Sequence, residues 1–187
     1  GPPALIEMFR AIPSTCSAAF FVVQHGPAWM LETFSLTLER DTGFKFCLAK
    51  EGMVPLRGQA YLSPGDKHLY VYSGAARLGL SDNPPENFVR PAADPLFRSA
   101  SLFFGRYCIG VILTGMGRDG AKGVAHVKAG GGLVFVQDPD TAAACSMPKT
   151  AIATGSADKV LSLSQMSDTI TAEVHRLSTE LDLKLRN

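Results

Sequence analysis

The sequence predicts an α/β fold: a doubly wound, mostly parallel sheet with helices on both faces and a small β-hairpin insert, in three α/β/α layers. Short apolar runs alternate with amphipathic segments along most of the chain. The runs are continuously apolar, which is typical of parallel strands that are buried on both faces. A chain of 187 residues is long enough for one sizeable core, so we expect a single domain over residues 1–187.

The N-terminal segment predicts a helix, a strand and a second helix. Pro2 and Pro3 suit a first helical turn, and the apolar residues after them recur at helical spacing up to Ile12. Residues 18–24 form a continuous apolar run, as expected for a buried strand. Helical spacing then returns and continues to Leu38.

Residues 44–81 differ, because short β-like pieces alternate with Pro-Gly and Ser-Gly turns. We interpret this region as the hairpin insert, with β-like pieces at 45–49, 60–62, 68–72 and 77–80. Residues 81–94 are rich in Pro, Asn and Asp and predict an ordered, irregular loop of the kind that often borders a site.

The remainder of the chain returns to regular alternation of strands and helices. The predicted strands are 107–113, 132–137 and 159–163, and the predicted helices are 95–105, 119–129, 147–154 and 164–183. The last helix has the clearest pattern, because Met166, Ile170 and Val174 lie on one face.

Composition excludes several classes of function. The formal net charge is +1, so no broad electrostatic field predicts a nucleic-acid partner. The apolar runs are far shorter than the roughly 20 residues needed to cross a bilayer, and no secretory signal is visible, so no direct membrane insertion is expected. The four cysteines lie singly, which disfavours zinc and disulfides and fits a cytoplasmic location.

Two strand ends carry residues with useful chemistry. In a doubly wound sheet, ligands bind at the carboxyl ends of the strands, and His25 and Asp119 each follow an apolar run. A histidine there suits a general base, although it could simply bond a loop. A carboxylate beside it would orient the imidazole, although Asp119 alone could cap the following helix.

The glycine-rich loop before Asp119 predicts an oxyanion site. We expect Gly115, Gly117 and Gly120 to leave backbone amides free to face a developing negative charge. No serine occupies a glycine-flanked turn between a strand and a helix. Cys108 lies in an apolar run and is predicted to be a core residue. The serines that we judge unsuitable as nucleophiles are Ser63, Ser99, Ser101 and Ser146.

Several motifs together resemble one family, the catalytic domain of the chemotaxis receptor-glutamate methylesterases of the CheB type. The blocks are G-P-P-A-L at 1–5, V-V-Q-H-x-P at 22–27, A-Y-L-S-P-G-D-K-H at 60–68, R-P-A-A-D-P-L-F-R-S at 90–99, L-T-G-M-G-R-D-G at 113–120, G-G-x-x-x-x-Q-D at 131–138 and M-P-K-T-A-I at 147–152. They follow the family's order over nearly the whole chain. Gly26 and Trp29 depart from the family's pattern, which leaves the substrate contacts open.

The resemblance implies a function. Members hydrolyse glutamyl methyl esters on chemoreceptors, and some deamidate receptor glutamines, by a Ser-His-Asp mechanism without metal or cofactor. By this resemblance His25 is the base, Asp119 orients it and Met116 lines the oxyanion and substrate site. The implied partner is the cytoplasmic domain of a methylated chemoreceptor. A phosphorylated receiver domain is a second candidate partner, although no receiver domain is recognisable in this chain.

The resemblance also locates the nucleophile. The family's serine motif, G-x-S-T-G-G-P, would place the serine three positions before Gly1, at the end of a first strand. We therefore expect an N-terminally incomplete catalytic domain that lacks this strand and motif. Two alternatives stay open: a catalytically inactive receptor-binding or scaffold module of the same fold, and a different α/β hydrolase or deamidase.

Overall fold

A computed structural model describes residues 1–186. Within them the chain forms helices and strands in alternation. The helices are α1 (Pro2–Ala11), α2 (Ala28–Thr42), α3 (Ala93–Phe104), α4 (Ala121–Ala129), α5 (Ser146–Ala153) and α6 (Leu163–Arg186), with a 3₁₀ turn at Gly105–Tyr107. The strands are β1 (Ala19–Val22), β2 (Lys45–Leu48), β3 (Gln59–Leu62), β4 (His68–Val71), β5 (Leu78–Ser81), β6 (Ile109–Ile112), β7 (Leu133–Gln137) and β8 (Lys159–Leu161).

Six of these strands run parallel. They form two three-stranded sheets, in the orders β1-β3-β2 and β6-β7-β8, whereas β4 and β5 make an antiparallel hairpin. In the first sheet Phe20 pairs with Ala60, and in the second Val111 pairs with Phe135. The predicted parallel sheet with a small hairpin is thus confirmed.

Helices cover both faces of the sheets, because each face is apolar and must be buried. One core contains Leu5 and Phe9 of α1, Leu31 and Leu38 of α2, and Met166 and Ile170 of α6. The other contains Leu96 of α3, Val124 and Val127 of α4, Ala151 of α5, and Leu69 and Leu78 of the hairpin. This is the expected three-layer arrangement. None of the helices in residues 1–186 is long and apolar enough to cross a membrane.

The interpretation of residues 44–81 as one hairpin insert is wrong for its first half. β2 and β3 belong to the parallel sheet, where Phe46 lies beside Ala60, and only β4 and β5 form a hairpin. Burial explains the difference: Leu62 enters one core and its neighbour Tyr61 enters the other, so β3 needs cover on both faces. The turn residues between β2 and β3 build a crossover without a helix.

An apolar groove lies between β1 and β6. Each of these strands pairs with only one neighbour in the described residues, and the two are not paired with each other. The groove has a volume of about 490 Å³. Consecutive residues of both strands line it, including Phe20, Phe21 and Val22 on one side and Val111 and Ile112 on the other. Because successive side chains point to opposite faces, such a lining means that strand edges border the groove.

Candidate active site

The structure brings His25 and Asp119 together, although they lie 94 positions apart in the sequence. His25 follows the end of β1, and Asp119 lies in the loop between β6 and α4. The His25 Nε2 atom is 2.7 Å from the Asp119 Oδ2 atom. The Asp119 side chain is only 3% exposed, whereas the His25 side chain is 31% exposed. The pair therefore has a buried carboxylate and a solvent-accessible ring.

Backbone amides at the start of α3 also hold the Asp119 carboxylate. The Ala93 N–H donates to Oδ2 at 2.6 Å, and the Asp94 N–H donates to Oδ1 at 3.3 Å. These are the first amides of α3, which lack partners within that helix. Asp119 therefore caps α3 and not, as the capping alternative supposed, the helix that follows it. It caps this helix and pairs with His25 at the same time.

These contacts decide the charge state of Asp119. Burial by itself raises the pKa of this carboxyl group, but the hydrogen bonds from His25, Ala93 and Asp94 outweigh burial and hold the pKa below its usual value. The carboxylate is therefore ionised at neutral pH and can only accept hydrogen bonds. His25 must donate through Nε2, so in the neutral ring Nδ1 is the nitrogen that can take a proton.

A second buried acid, Asp94, makes a contact like that of Asp119, but at the start of α4. Asp94 belongs to the first turn of α3, and its Oδ1 accepts the Gly123 N–H of α4 at 2.6 Å. Each helix is thus capped by a carboxylate next to the start of the other, where the helix dipole favours negative charge. Gly123 permits this approach, because a Cβ there would lie 2.6 Å from the Cβ of Phe97.

Asn87 bridges the two carboxylates. Its Nδ2 lies 2.8 Å from Asp94 Oδ2 and 3.1 Å from Asp119 Oδ1. Residues 81–94 thus form an ordered loop that borders the His25–Asp119 pair, as the sequence predicts. The sequence patterns did not identify Asn87 and Asp94 as site residues. The one available signal was the position of this polar loop directly before a helix with an acidic first turn.

The expectation of free amides at Gly115 and Gly117 is wrong. The Gly115 N–H donates to the Ala144 carbonyl at 2.9 Å, and the Gly117 N–H donates to Ser146 Oγ at 3.0 Å. Both bonds join the loop to the segment that leads into α5. The N–H of Met116, between them, has no hydrogen-bond partner within residues 1–186. The Gly120 N–H, for which the same expectation was stated, also has no hydrogen-bond partner within residues 1–186, so this loop offers more than one backbone donor. The Met116 side chain is 81% exposed.

Two polar side chains fix the start of the same loop. The Thr114 N–H donates to Gln137 Oε1 at 2.8 Å, and Gln137 is buried at the end of β7. Thr114 Oγ1 accepts the Ala144 N–H at 2.8 Å. The loop that carries Met116 and Asp119 is therefore tied to the neighbouring strand and to the approach to α5.

Cys108 and the serines judged unsuitable as nucleophiles are buried or hydrogen-bonded away from His25. Ser63 is buried at the end of β3, and Ser99 and Ser101 donate to carbonyl groups of their own helix. Burial raises the pKa of the Cys108 thiol to about 12, so Cys108 is an inert core residue, as predicted. No serine or cysteine in the described part of the chain is hydrogen-bonded to His25.

Metal ligation finds no support in the described residues. Among residues 1–186 no group of three His, Cys, Asp or Glu side chains has the geometry to hold a metal ion. All four cysteines carry free thiols.

The fold and the site define a class: a doubly wound α/β domain with a histidine–carboxylate pair at the carboxyl ends of its parallel strands. The family model for CheB methylesterase matches residues 1–170. The chain belongs to this family, which confirms the resemblance carried by its motifs.

Similar proteins and a solved structure support the same family assignment. A protein-glutamate methylesterase/protein-glutamine glutaminase of Pyrococcus abyssi is 37% identical over 179 residues, which cover 95% of this chain and 49% of the relative. Another of that name from Burkholderia lata is 39% identical and covered to 48%. The chain spans about half the length of these relatives. The crystal structure of the Thermotoga maritima CheB methylesterase catalytic domain matches with a TM-score of 0.88, at 32% identity and over 92% of each chain.

Proposed function

We propose that this chain is the catalytic domain of a chemotaxis protein-glutamate methylesterase, acting in the cytoplasm on glutamyl methyl esters of a chemoreceptor. The observation that carries the proposal is the His25–Asp119 pair, in which an ionised carboxylate holds Nε2 and leaves Nδ1 as the proton acceptor. Family membership and the names of the relatives support the substrate and add glutamine deamidation as a related activity of the same site.

The nucleophile in this proposal is a serine on a strand that fills the groove between β1 and β6. A parallel strand there would pair with both free edges and join the two sheets into one. The Gly1 nitrogen lies 3.1 Å from the carbonyl oxygen of Thr114, just beyond the end of β6. A strand that precedes Gly1 would therefore end beside the loop that carries Asp119, and residues 1–187 would be one domain together with that strand.

The reaction is acyl transfer in two halves. The serine oxygen attacks the ester carbonyl carbon while its proton passes to His25 Nδ1, and the same proton then goes to the departing methoxide, which leaves as methanol. Water attacks the carbonyl carbon of the resulting acyl-enzyme and gives one proton to His25 Nδ1, which passes it to the departing serine oxygen. The glutamic acid that forms ionises to the carboxylate by releasing its proton to solvent. Asp119 holds the ring and stabilises the imidazolium. Neither half needs a metal or an organic cofactor.

The oxyanion is stabilised by backbone amides in this mechanism. We assign this role to the Met116 N–H among the free amides of the loop after β6, because the bonds of Gly115 and Gly117 to Ala144 and Ser146 fix the peptides on either side of it. A donor that is fixed in advance needs no reorganisation during the reaction.

Methanol release tests the proposal. The intact protein is incubated with methylated chemoreceptor cytoplasmic domain, and methanol is measured against time. We expect turnover that disappears when the serine three positions before Gly1 is changed to Ala. Another residue encoded at that position would overturn the serine mechanism.

A parallel assay with small acyl esters and amides addresses the alternative hydrolase or deamidase. Turnover of these compounds without release of methanol from the receptor would reassign the substrate. The intact His25–Asp119 pair favours catalysis over an inactive binding module, and a residue other than serine three positions before Gly1 would favour the module. A phosphorylated receiver domain is proposed as a regulatory partner, and its effect is measured in the same assay.

A further inference from the structure

The loop that carries Asn87 has an unusual backbone. Glu86 and Val89 form an antiparallel bridge, and the Val89 N–H donates to the Glu86 carbonyl at 3.0 Å. The two residues between them have positive φ, 54° at Asn87 and 66° at Phe88, as in a type I′ turn. Asn tolerates this conformation, but Phe does so at a cost and is 93% exposed here. Packing of Phe88 therefore does not explain the turn.

Contacts on both flanks hold the turn in place. Glu86 pairs with Arg98 of α3 at 2.8 Å. Arg90 donates to the carbonyl groups of Asp82 and Asn83 at 2.8 and 3.1 Å. A strained backbone persists only where its surroundings over-determine it, and such places cluster at functional sites. The side chain that this turn directs at the two carboxylates is Asn87, which is half-buried.

The geometry points to Asn87 as a positioning residue for the reaction proposed above, and the inference rests on that function. Asp119 Oδ1 receives the Asn87 amide at 3.1 Å and the Asp94 N–H at 3.3 Å, while Oδ2 faces His25. The amide is thus the one side-chain donor on Oδ1 in the described residues. It also lies between two carboxylates that would otherwise repel each other. Together with the Ala93 and Asp94 N–H groups, Asn87 therefore helps to set the plane in which Oδ2 meets the His25 ring.

Substitution of Asn87 by Gly tests this role cleanly, because Gly keeps the left-handed backbone and removes only the amide. In the intact protein we expect kcat for methanol release to fall about tenfold, the size of one lost hydrogen bond to a charged group, with KM within about twofold. We also expect the low-field NMR signal of the His25 Nε2–H proton to shift or broaden. The matched control is Asp66→Gly, at an exposed residue whose backbone is also left-handed, with φ 62°, and whose side chain contacts neither carboxylate.

A second variant separates positioning from space filling. Asn87→Asp keeps size and turn preference but sets a third carboxylate against the other two, so we expect a larger loss of kcat than with Gly. An Asp variant more active than the Gly variant, or an unchanged kcat and NMR signal in Asn87→Gly, would overturn the inference. If Asn87→Gly fails to fold, Asn87→Ser, with a single donor, is expected to show a smaller loss of the same kind. Absence of methanol release by the wild type would instead reject the proposed function, and the NMR signal would still test Asn87.

Discussion

Within residues 1–186, His25 and His68 are the two histidines whose rings make tertiary hydrogen bonds, and their surroundings differ. The His68 ring is 2% exposed, and both nitrogens bond backbone groups: Nδ1 accepts the Ala92 N–H and Nε2 donates to the Pro84 carbonyl, each at 3.1 Å. The His25 ring has one carboxylate partner and a second nitrogen available. A ring that accepts at one nitrogen and donates at the other has no capacity left for chemistry, whereas His25 can exchange a proton.

The two rings nevertheless serve the same site. His68 joins the hairpin strand β4 to both ends of the loop that delivers Asn87, since Pro84 and Ala92 flank that residue. The orientation of the His25 ring depends on this anchoring, because Asn87 contacts the carboxylate that holds the ring. Burial with two backbone partners therefore makes His68 a structural residue, whereas partial exposure beside a carboxylate leaves His25 with the geometry that the proposed proton transfer needs.

The largest expected effect is on activity when His25 is removed. His25→Ala should lower kcat by about 10⁶-fold, because base and acid are both lost, while the free energy of unfolding changes by only about 1 kcal/mol. Methanol release and urea unfolding measure the two quantities. The control His175→Ala, an exposed position on α6, should leave both unchanged. Full turnover by His25→Ala would show that His25, like His68, takes no part in the chemistry.

The next effect concerns the partner of His25. Asp119→Asn should lower kcat by about 10⁴-fold, because an amide can donate to Nε2 and so favour the tautomer in which Nδ1 carries the proton. ¹⁵N NMR of the ring reports the tautomer directly. A variant that loses activity but keeps the Nε2–H tautomer would show that the charge of Asp119, and not its orientation of the ring, is what matters.

His68 should show the opposite pattern. His68→Ala removes a fully buried side chain, leaves the buried Ala92 N–H without a partner and breaks the bond to the Pro84 carbonyl, so we expect a loss of about 3 kcal/mol in the free energy of unfolding. The activity of the folded protein should fall about tenfold at most, the amount expected for Asn87. Urea unfolding and methanol release are compared with those of His126→Ala, an exposed helix position expected to stay within about 0.5 kcal/mol. A His68→Ala variant that is stable but inactive would show that His68 serves the reaction and not the stability of the fold.

Sequence patterns predicted the elements because helical and continuous apolar spacing are local properties. They also predicted His25 and Asp119, since the carboxyl ends of parallel strands share one edge. The pairing of β2 with β3 was missed because Pro-Gly and Ser-Gly turns look alike in a hairpin and in a helix-free crossover. Only the division of Leu62 and Tyr61 between two cores tells them apart.

The support of the site was harder to predict, because it consists of contacts between distant segments. Asp94 looks like an ordinary first-turn acid, yet it caps α4, and Asn87 looks like one more turn residue. The amides of Gly115 and Gly117 were misjudged because their partners, Ala144 and Ser146, lie about 30 positions away. No local pattern carries such pairings.

The smallest expected effect is the pH dependence of stability at Asp119. Its pKa is held below the usual value in the folded protein, so its contribution is present above the ordinary Asp pKa of about 3.9 and is lost as the pH falls through the folded value. The difference in free energy of unfolding between wild type and Asp119→Asn should therefore be largest near neutral pH and shrink below about pH 4. Urea unfolding between pH 7 and pH 3 measures it, with exposed Asp66→Asn as the control for one lost charge. A difference in free energy of unfolding that grows as the pH falls would mean that the effect of burial on the Asp119 pKa outweighs that of the hydrogen bonds. Asp119 would then not be the ionised partner that leaves His25 Nδ1 free to accept a proton.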